Sequence, residues 1–471
     1  MLFNSIEFIL FLPPVILFYY LLPAGYRWVL LLAASYFFYM SWRAEYGLLL
    51  LFSTLVDYFA ALRMDRLPTR RARLPYLLIS LVMNLGLLFL FKYFDFAAGS
   101  ANSLFWKLGL DTRMPLLQLL LPVGISFYTF QTLSYSIDVY RGEQKAERHA
   151  GYFALYVSYF PQLVAGPIER FSSLNPQLRQ AHRFEYANFA RGIRLILFGL
   201  FIKMVVADNL SVYVDQVYKN PDAYGRADIL TAWFFYSFQI YADFYGYSTV
   251  AVGSALLMGV KLMDNFRTPY LSRNIAEFWQ RWHISLSTWF RDYLYYPMGG
   301  NRVDKLRWML NIMTVFVVSG VWHGANWTFV IWGFLYGFLY IAEKQVNGLL
   351  KIDTNYRSFS LTHVFLVLKT SLLVTLIWVF FRSQSLGDAL HMLQLPFRSG
   401  VVATEQLHIP LFVWIFLLFF ILSDIYLYSR RLDLRMDKWP LVLRWSVYSV
   451  LCFVIIVFSG LEDFPFIYFQ F

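Results

Sequence analysis

Apolar windows recur from one end of this chain to the other, and that recurrence constrains the fold more than anything else in the sequence. They fall at 6–22, 28–42, 46–62, 77–96, 116–139, 152–166, 193–207, 229–247, 249–263, 309–321, 327–341, 364–381, 409–427 and 441–459. Crossing the hydrocarbon takes about 20 residues of helix, since lipid satisfies no backbone N–H or C=O. The shorter windows are expected as re-entrant or interfacial pieces. The spacing predicts an all-α, polytopic integral membrane protein with about 11 to 13 transmembrane helices plus re-entrant or interfacial ones. Only 15% of the 471 residues are charged, against about 25% in soluble proteins. The exterior must therefore be apolar and meet a lipid bilayer.

Charge between the windows gives an orientation. Arg63, Arg66, Arg70, Arg71 and Arg73 crowd one connection, and Arg430, Arg431, Arg435 and Lys438 another. Short basic loops stay cytoplasmic. If the first three windows cross, the N-terminus lies outside, and so does the acidic stretch Gly460-Leu461-Glu462-Asp463. Met1 to Ser5 lack the positive n-region of a signal peptide, so this end is expected to be a retained membrane segment. The net charge of +11 comes from basic residues flanking apolar spans, which gives no support to nucleic-acid binding.

Cys452 is the only cysteine, so an internal disulfide or a Cys-based metal cluster is excluded. His149, His182, His283, His323, His363, His391 and His408 include no i, i+4 pair, and no metal site is expected. There is no Walker motif, no Gly-x-Gly-x-x-Gly, no internal repeat and no dividing linker. A single membrane domain, 1–471, with a catalytic core at about 116–345, is the simplest organisation.

Polar chemistry concentrates in the second half. Trp322-His323-Gly324 closes an apolar run, and an imidazole at membrane depth is either a satisfied structural hydrogen-bonder or a functional base. If the run is helical, Ser319 lies one turn before His323 and Asn326 three residues after it, so either can fix the tautomer. Gly320 with Gly324 is a small-x-x-x-small pair that means close helix packing or room for a substrate chain. For Gly333 with Gly337, packing is favoured. Asp243, within 238–248, must be paired with a basic residue on a neighbouring helix or sit in a polar cavity. The stretch from Glu277 to Pro297 is too polar to span and too aromatic for an ordinary loop. As one helix it sets Trp282 and Trp289 on the same face and makes Arg281 a neighbour of both Glu277 and Ser285. It reads as an interfacial helix, or as a re-entrant one with His283 turned inward. Arg281, Arg291 and Arg302 then either face an anionic cytoplasmic donor or anchor to lipid headgroups.

The string from Glu277-Phe278-Trp279-Gln280-Arg281-Trp282-His283 to Trp289, followed by Gly299-Gly300-Asn301-Arg302 and Gly320-Val321-Trp322-His323-Gly324, resembles the membrane-bound O-acyltransferase family. Pro122-Val123-Gly124-Ile125-Ser126-Phe127-Tyr128 and Ala165-Gly166-Pro167 are similar to its bacterial polysaccharide branch, typified by alginate O-acetylation. Tyr245 stands where a small residue is expected. The resemblance implies a ring of tilted helices around a funnel, with His323 as the essential histidine at its bottom and His283 as the second motif residue. It also implies a multi-pass protein of the bacterial inner membrane that takes an acyl group, acetyl above all, from a cytoplasmic thioester such as acetyl-CoA. The group is passed to an extracytoplasmic polysaccharide, commonly with a periplasmic acetyltransferase as partner, and no bound cofactor is implied.

Such a transfer needs a base for the alcohol proton and donors for the oxyanion. His323 suits the first role, and His283 or the indole N–H of Trp322 the second. Within the same chemistry, the alternative is D-alanyl transfer to teichoic acid from a carrier protein. A transporter would show repeated halves with broken helices, which are absent from the sequence. A structural assembly subunit would tolerate the loss of His323.

Overall fold

The computed structural model describes residues 1–164, 166–349, 360–398, 403–428, 430–459 and 466–467. The expectation for Gly460, Leu461, Glu462 and Asp463 lies outside the described residues. Among those described, the chain is helical, with one isolated bridge between Tyr224 and Glu405 and no strand. Among the described residues, five helices are long and apolar enough to cross a membrane: Ala44–Asp65, Arg70–Lys107, Tyr186–Lys219, Leu361–Arg382 and Leu441–Phe458. Ile6–Leu21 and Leu411–Leu427 are shorter apolar helices. The protein is an all-α integral membrane protein.

The windows convert to helices unevenly, and each departure has a local cause. The window 116–139 is not one helix. Pro115, Pro122 and a left-handed Gly124 (φ 76°) hold the chain irregular until Ile125, where Ile125–Arg141 begins. A Cβ on Gly124 would stand 2.7 Å from the carbonyl oxygen of Leu163, so this turn is also a close approach. The window 152–166 divides into Ala150–Ser158 and Phe160–Leu163 at Tyr159, with Pro161 in the first turn of the second helix. Conversely, window 229–247 and the first part of 249–263 merge into Arg226–Leu257, because the single residue between them, Ser248, does not break a helix and the isolated Gly246 and Gly253 are tolerated in one.

Contacts group the described chain into two compact units: residues 1–192 with 254–263, and 193–253 with 264–471. In the first, helices Ala44–Asp65, Arg70–Leu88 and Ile125–Arg141 converge on the buried carboxylate of Asp57. It accepts from Ser80 Oγ at 2.5 Å, from Asn84 Nδ2 at 2.9 and 3.0 Å, and from Ser136 Oγ at 3.3 Å. Ser53 Oγ donates to Asn84 Oδ1 at 2.6 Å, closing the node. Residues 261–263 are tied to the same unit, Met263 N donating to Glu169 Oε1 at 2.6 Å and Lys261 N to Gln177 Oε1 at 2.9 Å.

In the second unit, Lys305–His323 and Trp327–Leu349 form a tight helical hairpin. Asp304 caps the first helix by accepting from Arg307 N at 3.0 Å. Glycine brings the two together: a Cβ on Gly320 would meet the Phe329 carbonyl oxygen at 2.2 Å, and one on Gly333 the Phe316 carbonyl oxygen at 2.3 Å. Both small-x-x-x-small pairs serve packing. Gly324 leaves no room for a substrate chain either, since the Phe329 ring lies 2.1 Å from where its Cβ would be.

Candidate active site

The aromatic segment is two short helices rather than one. Ile275–Arg281 ends at Trp282, which is extended, and His283 is left-handed (φ 43°, ψ 55°) before Ile284–Phe290 begins. Trp282 and Trp289 therefore do not share a helical face, and Arg281 is not one turn from Ser285. A β-carbon in the left-handed region is unfavourable, so something must hold the turn. The strut is the chain at 265–267. Ile284 N donates to the Asn265 carbonyl oxygen at 2.9 Å and Arg267 N to the Arg281 carbonyl oxygen at 2.9 Å, one bond on each side of the turn. Asn265 Oδ1 accepts from Ser285 N at 3.3 Å, capping the second helix, while its Nδ2 donates to Ser248 Oγ at 3.2 Å.

The other end of the first short helix is anchored by carboxylates. Asn274 Oδ1 accepts from Glu277 N at 2.7 Å, and Glu277 reaches back to Arg273 N at 3.0 Å, a capping box in all but register. Glu343, on Trp327–Leu349, accepts from Ile275 N at 2.7 Å and pairs with Lys369. Burial works to raise the Glu277 pKa, but the bonds from Arg273 and the charges of Arg281 and Arg273 outweigh it and hold the carboxyl below its usual range.

These constraints bring two imidazoles together. His283 and His323 are buried, their ring centroids 6.4 Å apart and tilted by 52°. Trp322 lies against both, at 5.9 Å from His283 and 4.9 Å from His323. Phe244 packs edge-on to His283 at 4.6 Å, and Trp332 and Phe381 edge-on to His323 at 5.0 and 5.4 Å. Behind them, Trp282 is enclosed by Phe278, Phe266 and Trp378. His323 is the last residue of its helix and Ser319 lies one turn before it, also buried.

The remaining expected residues have partners of their own. Asn326 starts the next helix: its Oδ1 accepts from Thr328 N at 3.1 Å and its amide donates to the Gln384 carbonyl oxygen at 2.7 Å. Asp243 is paired with a basic residue on a neighbouring helix. Lys203 Nζ stands 2.6 Å from both Asp243 Oδ1 and Asp208 Oδ1, and Ile467 N donates to Asp243 Oδ2 at 2.7 Å. Arg281 is engaged by Glu277 at 2.8 Å and Thr268 Oγ1 at 3.1 Å. Arg291 is exposed and paired with Asp292 at 2.8 Å, and Arg302 is exposed.

Residues 149–368 match the model of the membrane-bound O-acyltransferase family, a stretch that contains both histidines. The chain is 40% identical over 405 residues to a probable alginate O-acetylase of Pseudomonas syringae pv. tomato, covering 85% of this chain and 76% of that one. The chain belongs to the membrane-bound O-acyltransferase family. Among its other relatives is a peptidoglycan O-acetyltransferase of Helicobacter pylori, 37% identical over 428 residues, 84% of this chain and 79% of that one. A teichoic acid D-alanyltransferase of Bacillus subtilis is 31% identical over 230 residues, only 46% of this chain and 57% of that one. As an O-acyltransferase, the protein needs a proton acceptor for an alcohol, and the described histidine pair offers that chemistry in a water-poor setting.

The sequence did not single out Asn265, Phe244, Trp332 or Phe381 for the site. The aromatic residues lie in or beside apolar windows, where a ring lining a site reads like a ring facing lipid. Asn265 carried a usable signal, an amide just before the aromatic segment, but its partners are fixed only by the turn.

Proposed function

We propose that this O-acyltransferase moves an acetyl group from a cytoplasmic thioester, acetyl-CoA, towards a hydroxyl of an extracytoplasmic polysaccharide, with His323 as general base. The observation that carries the reading is the His283–His323 pair, two imidazoles converging from separate elements onto one buried, aromatic-walled spot. In the reaction, His323 accepts the alcohol proton as the alkoxide oxygen attacks the thioester carbonyl. The tetrahedral oxyanion is met by a neutral donor, His283 or the Trp322 indole N–H. Collapse breaks the C–S bond, and the imidazolium returns its proton to the departing thiolate. A neutral imidazole is the form required at the start. The ring wall also keeps water from competing for the acyl group.

Acetyl rather than D-alanyl transfer is favoured by the extent of likeness: the two acetylating relatives align over most of the chain, the D-alanylating one over less than half. A bacterial inner-membrane location, and a periplasmic acetyltransferase as partner, belong to the same reading. The test is purified full-length protein with acetyl-labelled CoA and, in parallel, a D-alanyl-charged carrier protein. Transfer or hydrolysis of the acetyl label, abolished by His323→Gln at unchanged thermal stability, supports the reading. Wild-type turnover retained in a folded His323→Gln protein removes the base, and use of the D-alanyl carrier alone replaces the substrate.

A further inference from the structure

The second unit holds a small basic pocket that has Asn265 of the strut in its lining. Its lining includes Arg267, Arg430 and Arg431, with Ser248 and Asn265 among the polar wall residues, and it has room of about 40 Å³. A water takes roughly 10–15 Å³ on such a measure, so the space holds a few waters or one small oxyanion. The three guanidiniums are not equally committed. Arg431 makes two bonds of 3.0 Å to Asp433 and lies 3.6 Å from Asp264. Arg267 is exposed, its nearest carboxylate being Asp264 at 4.0 Å. Arg430 is exposed and has no ion pair among the described residues. Asp264 is the one carboxylate in the lining, set against three arginines.

We propose that Arg267 and Arg430, beside Arg431, form a binding site for a phosphate group. Guanidinium forks fit phosphate oxygens two at a time, and the pocket leaves two of them available beside side-chain hydroxyl and amide groups. Arg281, which the sequence offers for the same task, is already held by Glu277. The pocket shares Asn265 with the histidine turn, so a phosphate bound there touches the residue that holds His283 in place. Two sources supply such a group: the phosphates of a CoA-type acyl donor, which rests on the acyl-transfer reading above, and a phospholipid headgroup.

The experiment uses full-length protein in phosphatidylcholine nanodiscs, wild type against Arg267→Gln, Arg430→Gln and the double variant. Binding of inorganic pyrophosphate is measured by calorimetry, and donor KM with acetyl-CoA and with acetyl-pantetheine, which has no phosphate. The site predicts pyrophosphate affinity lower by about tenfold per arginine removed, the worth of a charge-assisted hydrogen bond. A donor phosphate adds a matching rise in KM for acetyl-CoA but not for acetyl-pantetheine. A headgroup instead shows as loss of co-purifying phosphatidylglycerol in the double variant at constant donor KM. If the wild type turns over neither donor yet pyrophosphate binding still depends on both arginines, the acetyl-CoA reading fails and the phosphate site stands. Pyrophosphate binding that is equal in wild type and double variant overturns the site.

Discussion

Around Asp57, in the N-terminal unit, the neighbours are hydrogen-bond donors: two serine hydroxyls and an asparagine amide, arriving from two other helices. Around the His283–His323 pair, in the second unit, the neighbours are rings from Phe244, Trp322, Trp332 and Phe381. Both spots place a polar side chain among apolar helices, where leaving it unsatisfied is expensive. The first is built so that all its bonds are made inside the fold, which makes it glue between helices. The second packs its imidazoles against aromatic rings, surfaces that keep water away and suit a group that must exchange a proton with a substrate. Burial alone does not separate structure from chemistry; what lines the burial does.

The largest effect that tests this contrast is on activity. His323→Ala should lower the transfer rate by about 10²–10⁴-fold, the usual worth of a general base, while the melting temperature in detergent barely moves. Adding His283→Ala should cost much less than its own single loss multiplied in, since residues acting as one unit are not additive. Asp57→Ala should do the reverse, lowering the melting temperature while the folded fraction keeps its specific activity. A loss of activity per folded molecule at Asp57 equal to that at His323 would erase the contrast.

Next in size is the ion cluster of the second unit. Lys203 neutralises two carboxylates, Asp208 and Asp243, each 2.6 Å away. Lys203→Met leaves both acids buried together and should cost about 3–5 kcal/mol of stability, the usual penalty for breaking a buried pair. The fully neutral variant Lys203→Met/Asp208→Asn/Asp243→Asn should recover most of that in the same thermal denaturation. Because Phe244, which follows Asp243, packs on His283, the single variant should also lose activity. Stability of Lys203→Met equal to wild type would show that the cluster is solvated rather than structural.

Helix content and membrane character were legible because lipid imposes one pattern, about 20 apolar residues in a row, that the chain repeats. The breaks at 115–124 and at Tyr159 were less legible, since an apolar window conceals what Pro122, Gly124 and Pro161 do to the backbone. His323 and His283 stood out because imidazole is rare in such surroundings, and their meeting is what the structure adds. The turn at Trp282-His283 was not readable: the 3.6-residue spacing of Glu277, Arg281 and Ser285 fits a continuous helix, and only the bonds from Asn265 and Arg267 overrule it. Asp243 likewise needed Lys203, forty residues away in sequence, to decide between its two readings.

The smallest effect concerns acid. Glu277 and Glu147 are both carboxylates outside the spans, and both are held below their usual range. In each, burial pushes the pKa up, but bonds and charge from Arg273 and Arg281, or from Arg179, His149 N and Asn175, outweigh it. A depressed folded pKa means stability that is fully present above the unfolded value, near 4.3–4.5, and is lost as pH falls through the folded one. The two should nevertheless separate by readout. Protonating Glu277 loosens the helix that leads into His283, whereas protonating Glu147 loosens a connection in the N-terminal unit, where Arg179 also stacks on Tyr152 at 4.2 Å. Glu277→Gln should therefore flatten the acid-induced change in Trp fluorescence, because Trp279 and Trp282 report on that helix directly. Glu147→Gln should leave the fluorescence titration of the second unit as it was. An acid transition in Trp emission that is unchanged by Glu277→Gln but removed by Glu147→Gln would assign the sensitivity to the wrong unit and break the comparison.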